Sequence, residues 1–368
     1  MPKTKRQLSP LEQKLNELFS NIFGRVPFVQ KMLFVFHLQT MTKAGLSIVS
    51  ALKVLSEELE NPKMRALVAD VKNDVEQGKQ LSEALAKYPK IFPSIYVNMI
   101  AAGEVAGKME EALAQIGNQM KKSNELTSRV RGAMIYPAVI LVAMLGIALE
   151  MVIFVLPKIT ILFKDFNAEL PLATRILIKV VDFFQNYGAV SIVGFIIFVI
   201  AFAWFYRLPK PRRFFHGVNL HLPIFGSIIK KINLARFTIT LSSLLQSTIP
   251  IIDAVRITAG VQGNLVYKEK LLIVSDRLKK GETLSSLLSQ FPDVFPPMVT
   301  EMIMVGEQSG RMEIMLTELA DYYGNEVDNT MRNFATIIEP VIIVILGLMV
   351  AGIAVAVIMP MYSLAQSF

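Results

Sequence analysis

Gly103-Glu104-Val105-Ala106-Gly107-Lys108-Met109 and Gly306-Glu307-Gln308-Ser309-Gly310-Arg311-Met312 are one seven-residue pattern written twice, 203 residues apart. The same shift carries Asn61 onto Asn264, Gly78 onto Gly281, Phe92-Pro93 onto Phe295-Pro296 and Arg129 onto Arg332. It also carries Pro137 onto Pro340 and Pro157 onto Pro360, and Gly45-Leu46-Ser47-Ile48 lines up with Thr248-Ile249-Pro250-Ile251. One register held without a gap from residue 45 to residue 157 marks a tandem duplication. Each copy is a polar helical module followed by a long apolar helix, and two copies are too few for a solenoid.

Composition sets the class. With 53% hydrophobic and 18% charged residues and a mean hydropathy of +0.47, the chain is too apolar for an ordinary soluble protein of 368 residues. It reads as a membrane protein. The absence of cysteine removes disulfides, thiolate metal sites and cysteine nucleophiles. The three histidines, His37, His216 and His221, show no metal-ligand spacing and read as structural. No cofactor or metal site is expected.

Three stretches are long enough to cross a hydrocarbon core that needs about 20 helical residues. They run over 134–157, 189–206 and 337–359. The first and third are repeat mates, each expected to stop at its proline, Pro157 or Pro360, because proline has no N–H to continue the ladder. The second is the connector. From Arg207 to Arg236 there are seven Lys/Arg and no Asp or Glu, just after the interfacial run Trp204-Phe205-Tyr206, so that side reads as cytoplasmic. The loop over 158–188 is nearly balanced in charge and reads as external. Two crossings separate the modules, which therefore face the same compartment as parallel repeats. The amino terminus is then inside and the tail over 360–368 outside, in a multi-pass protein of the cytoplasmic membrane. Topology and an anionic inner leaflet account for the net charge of +8, so membrane lipids rather than nucleic acid are the expected polyanion.

The first module, over 30–133, is helical: Ile48, Leu52, Leu55 and Leu59 share one face, as do Met64, Leu67, Val71 and Val75, and Asn61-Pro62 separates the two helices. Met109, Leu113, Ile116 and Met120 open a helix that continues into the first span. The second module, within 207–336 and after a basic linker, repeats the plan. No stretch alternates with period two, so the class is all-α. The arm over 1–29 opens a helix at Ser9-Pro10-Leu11-Glu12, carries the stripe Leu11, Leu15, Leu18, Phe19, Ile22 and Phe23, and is basic. It suits either an anionic membrane surface or the first bundle, and it lacks an apolar run of signal-peptide length.

The doubled Gly-Glu-x-x-Gly is the sharpest local signal. Gly103, Gly107, Gly306 and Gly310 permit close helix approach or a positive φ at a helix-to-helix turn, while Glu104 and Glu307 can accept backbone N–H bonds or pair with a base. Without the lysine and Ser/Thr of a phosphate loop, the pattern does not read as a nucleotide site. These motifs, with Tyr136-Pro137 and Glu339-Pro340 opening the membrane helices and Leu222-Pro223-Ile224-Phe225-Gly226 before the second module, resemble the type II secretion system F domain family. Its members are inner-membrane platform proteins of type IV pilus and type II secretion machines.

The resemblance covers about residues 30 to 365. It implies two cytoplasmic six-helix modules and a scaffold, not an enzyme, that couples a separate hexameric ATPase to the insertion or extraction of pilins or pseudopilins. Other inner-membrane pilus components and further copies of the chain are implied partners. The chain departs from the family at Ser247-Thr248-Ile249-Pro250, where Thr248 replaces the usual glycine and argues against a positive φ. Its short arm favours a pilus over a secretion machine, with a type II secretion or DNA-uptake pseudopilus platform as the alternative. A small duplicated transporter is the distant rival, disfavoured by three spans and a largely extramembrane sequence.

Glu150 lies inside the first span, where a charge costs on the order of 2.5 to 3.5 kcal/mol on insertion scales, and its repeat mate is Ile353. It reads either as a contact to a positive group on a partner or as a carboxyl satisfied within the helix cluster. Glu339 sits near the cytoplasmic edge, within reach of head groups or, if the helix bends, of Arg332.

Overall fold

A computed structural model describes residues 26–155, 157, 172–223 and 225–366. All the regular elements among them are helices, with no strand. The expected helix of the arm, the first part of the loop expected over 158–188 and the last two residues of the tail lie outside the described residues.

The first module is built from α1 (Phe28–Lys43), α2 (Ile48–Glu58), α3 (Pro62–Glu76), α4 (Leu81–Ala86), α5 (Ser94–Ala106) and α6 (Met109–Glu150). The connector contains α7 (Leu172–Arg207) and α8 (Pro209–His221). The second module contains α9 (Phe225–Gln246), α10 (Ile251–Val261), α11 (Leu265–Leu278), α12 (Leu284–Leu288), α13 (Pro297–Ser309) and α14 (Met312–Gln366). Six helices thus recur in one order. Five successive helix starts, from Ile48 and Ile251 to Met109 and Met312, are each 203 residues apart.

Local chemistry explains the shared punctuation. Asn61 accepts N–H bonds from Lys63 and Met64 at 3.0 and 3.1 Å, and its mate Asn264 accepts one from Val266 at 2.8 Å, so the same N-cap opens α3 and α11. The cores match as well. Phe34 meets Phe92 at 5.6 Å between ring centroids, and their mates Phe237 and Phe295 meet at 5.3 Å, all four wholly buried. Met64 and its mate Tyr267 each fill their bundle, the tyrosine hydroxyl donating to Val294 O at 2.9 Å.

Positive φ recurs in register at Gly45 and Thr248, Gly78 and Gly281, and Gly107 and Gly310. Thr248 overturns the sequence expectation: it takes a φ of +59° despite its branched Cβ. Its N–H donates to Leu245 O at 2.9 Å and the Ile249 N–H donates to Leu244 O at 3.1 Å, the closing pattern of a helix that ends in a left-handed residue. That conformation costs an L-residue roughly 1–2 kcal/mol, more than the roughly 0.5–1 kcal/mol of chain entropy lost on introducing glycine. Thr248→Gly should therefore raise stability by about 0.5–1 kcal/mol, read as a higher melting temperature of the detergent-solubilised protein. An unchanged or lower value would show that the turn carries no strain.

Two compact units emerge, one joining Met1–Glu125 to Asn233–Tyr322 and the other joining Leu126–Ile232 to Tyr323–Phe368. Among the described residues three helices are long and apolar enough to cross a membrane: α6, α7 from Asn186 to Arg207, and α14 to Gly352. Their large side chains face outward. Val139, Val142 and Leu145 on α6, and Val344 and Leu348 on α14, are between 59% and 69% exposed, a surface suited to lipid and not to water.

Several boundaries differ from the sequence reading. Pro137 and Pro340 do not open new helices; they lie inside continuous ones, where each leaves one carbonyl of the preceding turn without its usual donor. Near Pro157, α6 gives way at Glu150 to a π-helical turn over Met151–Val155, so the regular ladder yields before the proline is reached. Pro360 does not stop α14, which continues to Gln366. The segment from Leu172 is already helix and not loop: Arg175, Lys179 and Asp182 recur at helical spacing between apolar residues. Part of the basic linker is likewise helical, as α8.

Candidate functional site

The glycines and glutamates of the doubled Gly-Glu-x-x-Gly each have a structural task. In the first copy the Lys108 N–H donates to Gly103 O at 2.8 Å and the Gly107 N–H donates to Glu104 O at 3.2 Å, a Schellman closure with Gly107 at φ +66°. The second copy repeats it, with Arg311 donating to Gly306 O at 2.9 Å and Gly310 to Glu307 O at 3.4 Å. Gly103 lets α5 and α6 meet, since a Cβ there would run into the Ala112 methyl group. At Gly306 a Cβ would lie 3.1 Å from the Met312 Cα.

The glutamate reaches across the bundle. Leu81 N–H donates to one Glu104 oxygen at 2.5 Å, Ser82 N–H donates to the other at 3.1 Å, and the Ser82 hydroxyl donates to that same oxygen. Glu307 receives the same three bonds from Leu284 N–H at 2.5 Å, Ser285 N–H at 3.2 Å and the Ser285 hydroxyl. A single carboxylate therefore caps the short helix α4 or α12, satisfying donors that a helix N-terminus leaves orphaned and lying at its positive pole. A helix of five or six residues has little stability of its own, so the corner depends on this contact. The motif chemistry is legible as a turn with a hydrogen-bonded acid; no local pattern marks its partners, Ser82 and Ser285, which lie 22 residues away in each copy.

A second constellation escaped the sequence reading. Asp74, whose side chain is 9% exposed, pairs with Lys79 at 2.6 Å and with Lys87. The residues 203 positions later are Arg277, Glu282 and Gln290, and these bond to one another: Arg277 Nε donates to Glu282 Oε1 at 2.8 Å and a terminal nitrogen of Arg277 donates to Gln290 Oε1 at 2.5 Å. The charges are reversed while the cluster is kept. Aligning the two copies would have exposed that signal.

Hydrogen bonds from Lys79 and Lys87 hold the Asp74 carboxyl below the usual carboxylate range, and Arg277 does the same for Glu282. A carboxyl with a depressed folded value stabilises the fold above its unfolded value, near pH 4, and loses that contribution as pH falls through the folded value. Acidification below about pH 4 should therefore loosen both bundles. Asp74→Asn should reduce the drop in melting temperature over that window, whereas an equally steep drop would show that the pair contributes nothing.

Within the first unit the two modules touch. α5 packs on α10, and the buried Gln119 on α6 donates from Nε2 to Thr240 Oγ1 at 3.3 Å while its Oε1 accepts from the Ser243 hydroxyl at 2.6 Å. Lys122 pairs with Asp321 at 3.1 Å. Beside this contact a cleft of 230 Å³ is lined by Ala102, Ala106 and Gln115 on one wall and by Gln246, Ser247 and Thr248 on the other.

The remaining expected residues stay apart from these corners. Glu150 is exposed on the last turn of α6, against the π-helical turn, with no hydrogen-bond or ion-pair partner among the described residues. Arg332 pairs with Asp328 at 2.9 Å and not with Glu339. Gly226 of the Leu-Pro-Ile-Phe-Gly run allows a tight turn, as a Cβ would come within 2.5 Å of Leu220 O. His221 Nδ1 lies 2.9 Å from Gly217 O, one turn back on its own helix. Among the described residues no cluster of three or more His, Asp or Glu is arranged to hold a metal ion.

The fold defines a duplicated helical membrane protein, each copy built on the same capped corner. The chain belongs to the family described as "Type II secretion system (T2SS), protein F", which matches it twice, over residues 34–157 and 237–360. It is similar to the type IV pilus assembly protein PilC of Thermus thermophilus, with 36% identity over 90% of this chain and 82% of the relative. The PilC of Myxococcus xanthus is 34% identical over 93% and 82%. Type II secretion system protein F of Vibrio cholerae is 32% identical over 88% of this chain and 79% of its own length.

Proposed function

We propose that this chain is the cytoplasmic-membrane platform of a type IV pilus assembly machine. Both six-helix modules face the cytoplasm, the amino terminus lies inside and the carboxyl terminus outside. In this reading the modules receive a hexameric ATPase and the apolar helices meet the stems of pilins, so that the motor drives pilin insertion or extraction. The chain itself hydrolyses nothing. The carrying observation is the duplicated, in-register module with its paired corners, in a chain whose similarity to pilus assembly proteins extends over nine-tenths of its length. Two helical bundles with carboxylate-capped corners suit a docking scaffold.

A second reading, the platform of a type II secretion or DNA-uptake pseudopilus, is favoured by the similarity to protein F. Deleting the gene in its own host separates the two. Loss of surface pili with secretion intact supports the pilus platform, loss of secretion or uptake with normal pili supports the second reading, and no change in any of them overturns both.

A further inference from the structure

Arg236 closes the run of basic residues that begins at Arg207, but it lies on α9 of the second bundle, partly buried. Its guanidinium rests on the link between α10 and α11: a Cβ at Gly263 would come within 2.5 Å of a terminal nitrogen of Arg236. No group among the described residues accepts a hydrogen bond from it or forms an ion pair with it. Burial holds the guanidinium below the usual arginine range, with no acid nearby to raise it. A partly buried cation without a counter-charge leaves its desolvation uncompensated.

The link carries further unmet polar groups. Gln262, the residue before Gly263, is 7% exposed, and neither polar atom of its amide has a hydrogen-bond partner among the described residues. One turn back on α10, the wholly buried Thr258 has an unpartnered hydroxyl. Just past the link, Lys268 sits on the first turn of α11, at the positive pole of that helix. It has no ion pair or side-chain hydrogen bond among the described residues. None of this is required by the fold that the two modules share. The mates of Arg236, Thr258 and Gln262 are Leu33, Leu55 and Leu59, and Glu60 stands where module two has Gly263. The mate of Lys268 is Arg65, whose Nε donates to Leu59 O at 2.8 Å. Module one thus closes the corner with three leucines and a stapling arginine. Module two has exchanged the leucines for an arginine, a hydroxyl and an amide, and has lost the acid. Orphaned polar groups cost stability until a polar partner meets them, so the exchange points to a ligand.

We propose that the α10–α11 corner of the second module binds a phosphate group. Arg236 and Lys268 supply two positive charges, which match a phosphate dianion and exceed what one carboxylate neutralises. The start of α11 adds its positive pole, where phosphate is favoured. Gly263 is exposed and has no side chain, so an oxyanion reaches the guanidinium from solvent, and the Gln262 amide offers an N–H at the inner edge. The phosphate belongs either to a soluble ion or to a lipid head group, since the same contacts serve both. Neither source depends on whether the machine builds a pilus or a secretion pseudopilus.

Full-length protein in detergent, titrated with inorganic phosphate at constant ionic strength, should show a saturable rise in melting temperature that chloride and acetate do not give. Arg236→Leu, which installs the residue of module one, should melt no lower than the parent in phosphate-free buffer. It should weaken phosphate binding by at least about tenfold, the loss of one charge-assisted hydrogen bond. Gly263→Ala puts a methyl group where the guanidinium lies, and Lys268→Gln removes the second charge; both should weaken binding with Arg236 in place. Nanodiscs separate the two sources. If phosphatidic acid in a phosphatidylcholine bilayer abolishes the response to added phosphate, the head group is the ligand, and if the response persists, the soluble ion is. No response in the parent, an equal response to acetate, or an equal phosphate response in Arg236→Leu would overturn the proposal. So would unchanged affinity in both Gly263→Ala and Lys268→Gln, even if Arg236→Leu did not fold.

Discussion

Glu104→Lys should release α4 from the first bundle and lower pilus number before it lowers the amount of protein in the membrane. The carboxylate accepts from two backbone N–H groups and one hydroxyl, and each bond to a charged acceptor is worth about 1.5–3 kcal/mol. Lysine accepts nothing and places a positive charge at the positive end of a helix. A loss of about 3 kcal/mol is a large part of a domain stability of roughly 5–15 kcal/mol, yet too small to prevent membrane insertion. Hydrogen exchange should locate the damage, with protection falling at Leu81 and Ser82 while the equivalent amides at Leu284 and Ser285 stay protected. Glu307→Lys should give the mirror result in the second module, and Glu104→Gln a milder one because an amide oxygen can still accept. Unchanged protection at Leu81 in the lysine variant would show that the motif acid does not hold the corner.

The elements that the sequence made legible are those whose physics is local. The 203-residue register follows from proline, glycine and Asn N-cap positions, and these alone place five matched helix starts. The Gly-Glu-x-x-Gly corner was readable as a turn because glycine supplies the left-handed residue at Gly107 and Gly310. Thr248 shows where that logic fails. Its neighbours close the α9 helix through Ile249 N–H to Leu244 O, and the fold imposes a positive φ on a residue that resists it. The prolines misled in the opposite direction. A helix surrounded by apolar side chains continues through Pro340 and Pro360 because nothing in the segment offers the backbone another partner. Partners distant in sequence, such as Gln119 with Ser243 or Glu104 with Ser82, are set by packing and not by local pattern. The charge reversal from Asp74 to Arg277 was visible only by comparing the copies, since each cluster alone resembles an ordinary surface pair.

We propose that two copies of one module stand in the cytoplasm on either side of a double crossing, open to one motor. This topology is motivated by seven basic residues between Arg207 and Arg236 and by two apolar helices between the modules. Because the chain has no cysteine, single cysteines at Lys87, Lys279 and Ser367 report their compartments without background. In intact cells a membrane-impermeant thiol reagent should label Ser367→Cys fully and leave Lys87→Cys and Lys279→Cys unlabelled, and all three should react once the membrane is opened. Labelling of Lys279→Cys but not of Lys87→Cys in intact cells would put the modules on opposite sides of the membrane and rule out the parallel-repeat topology.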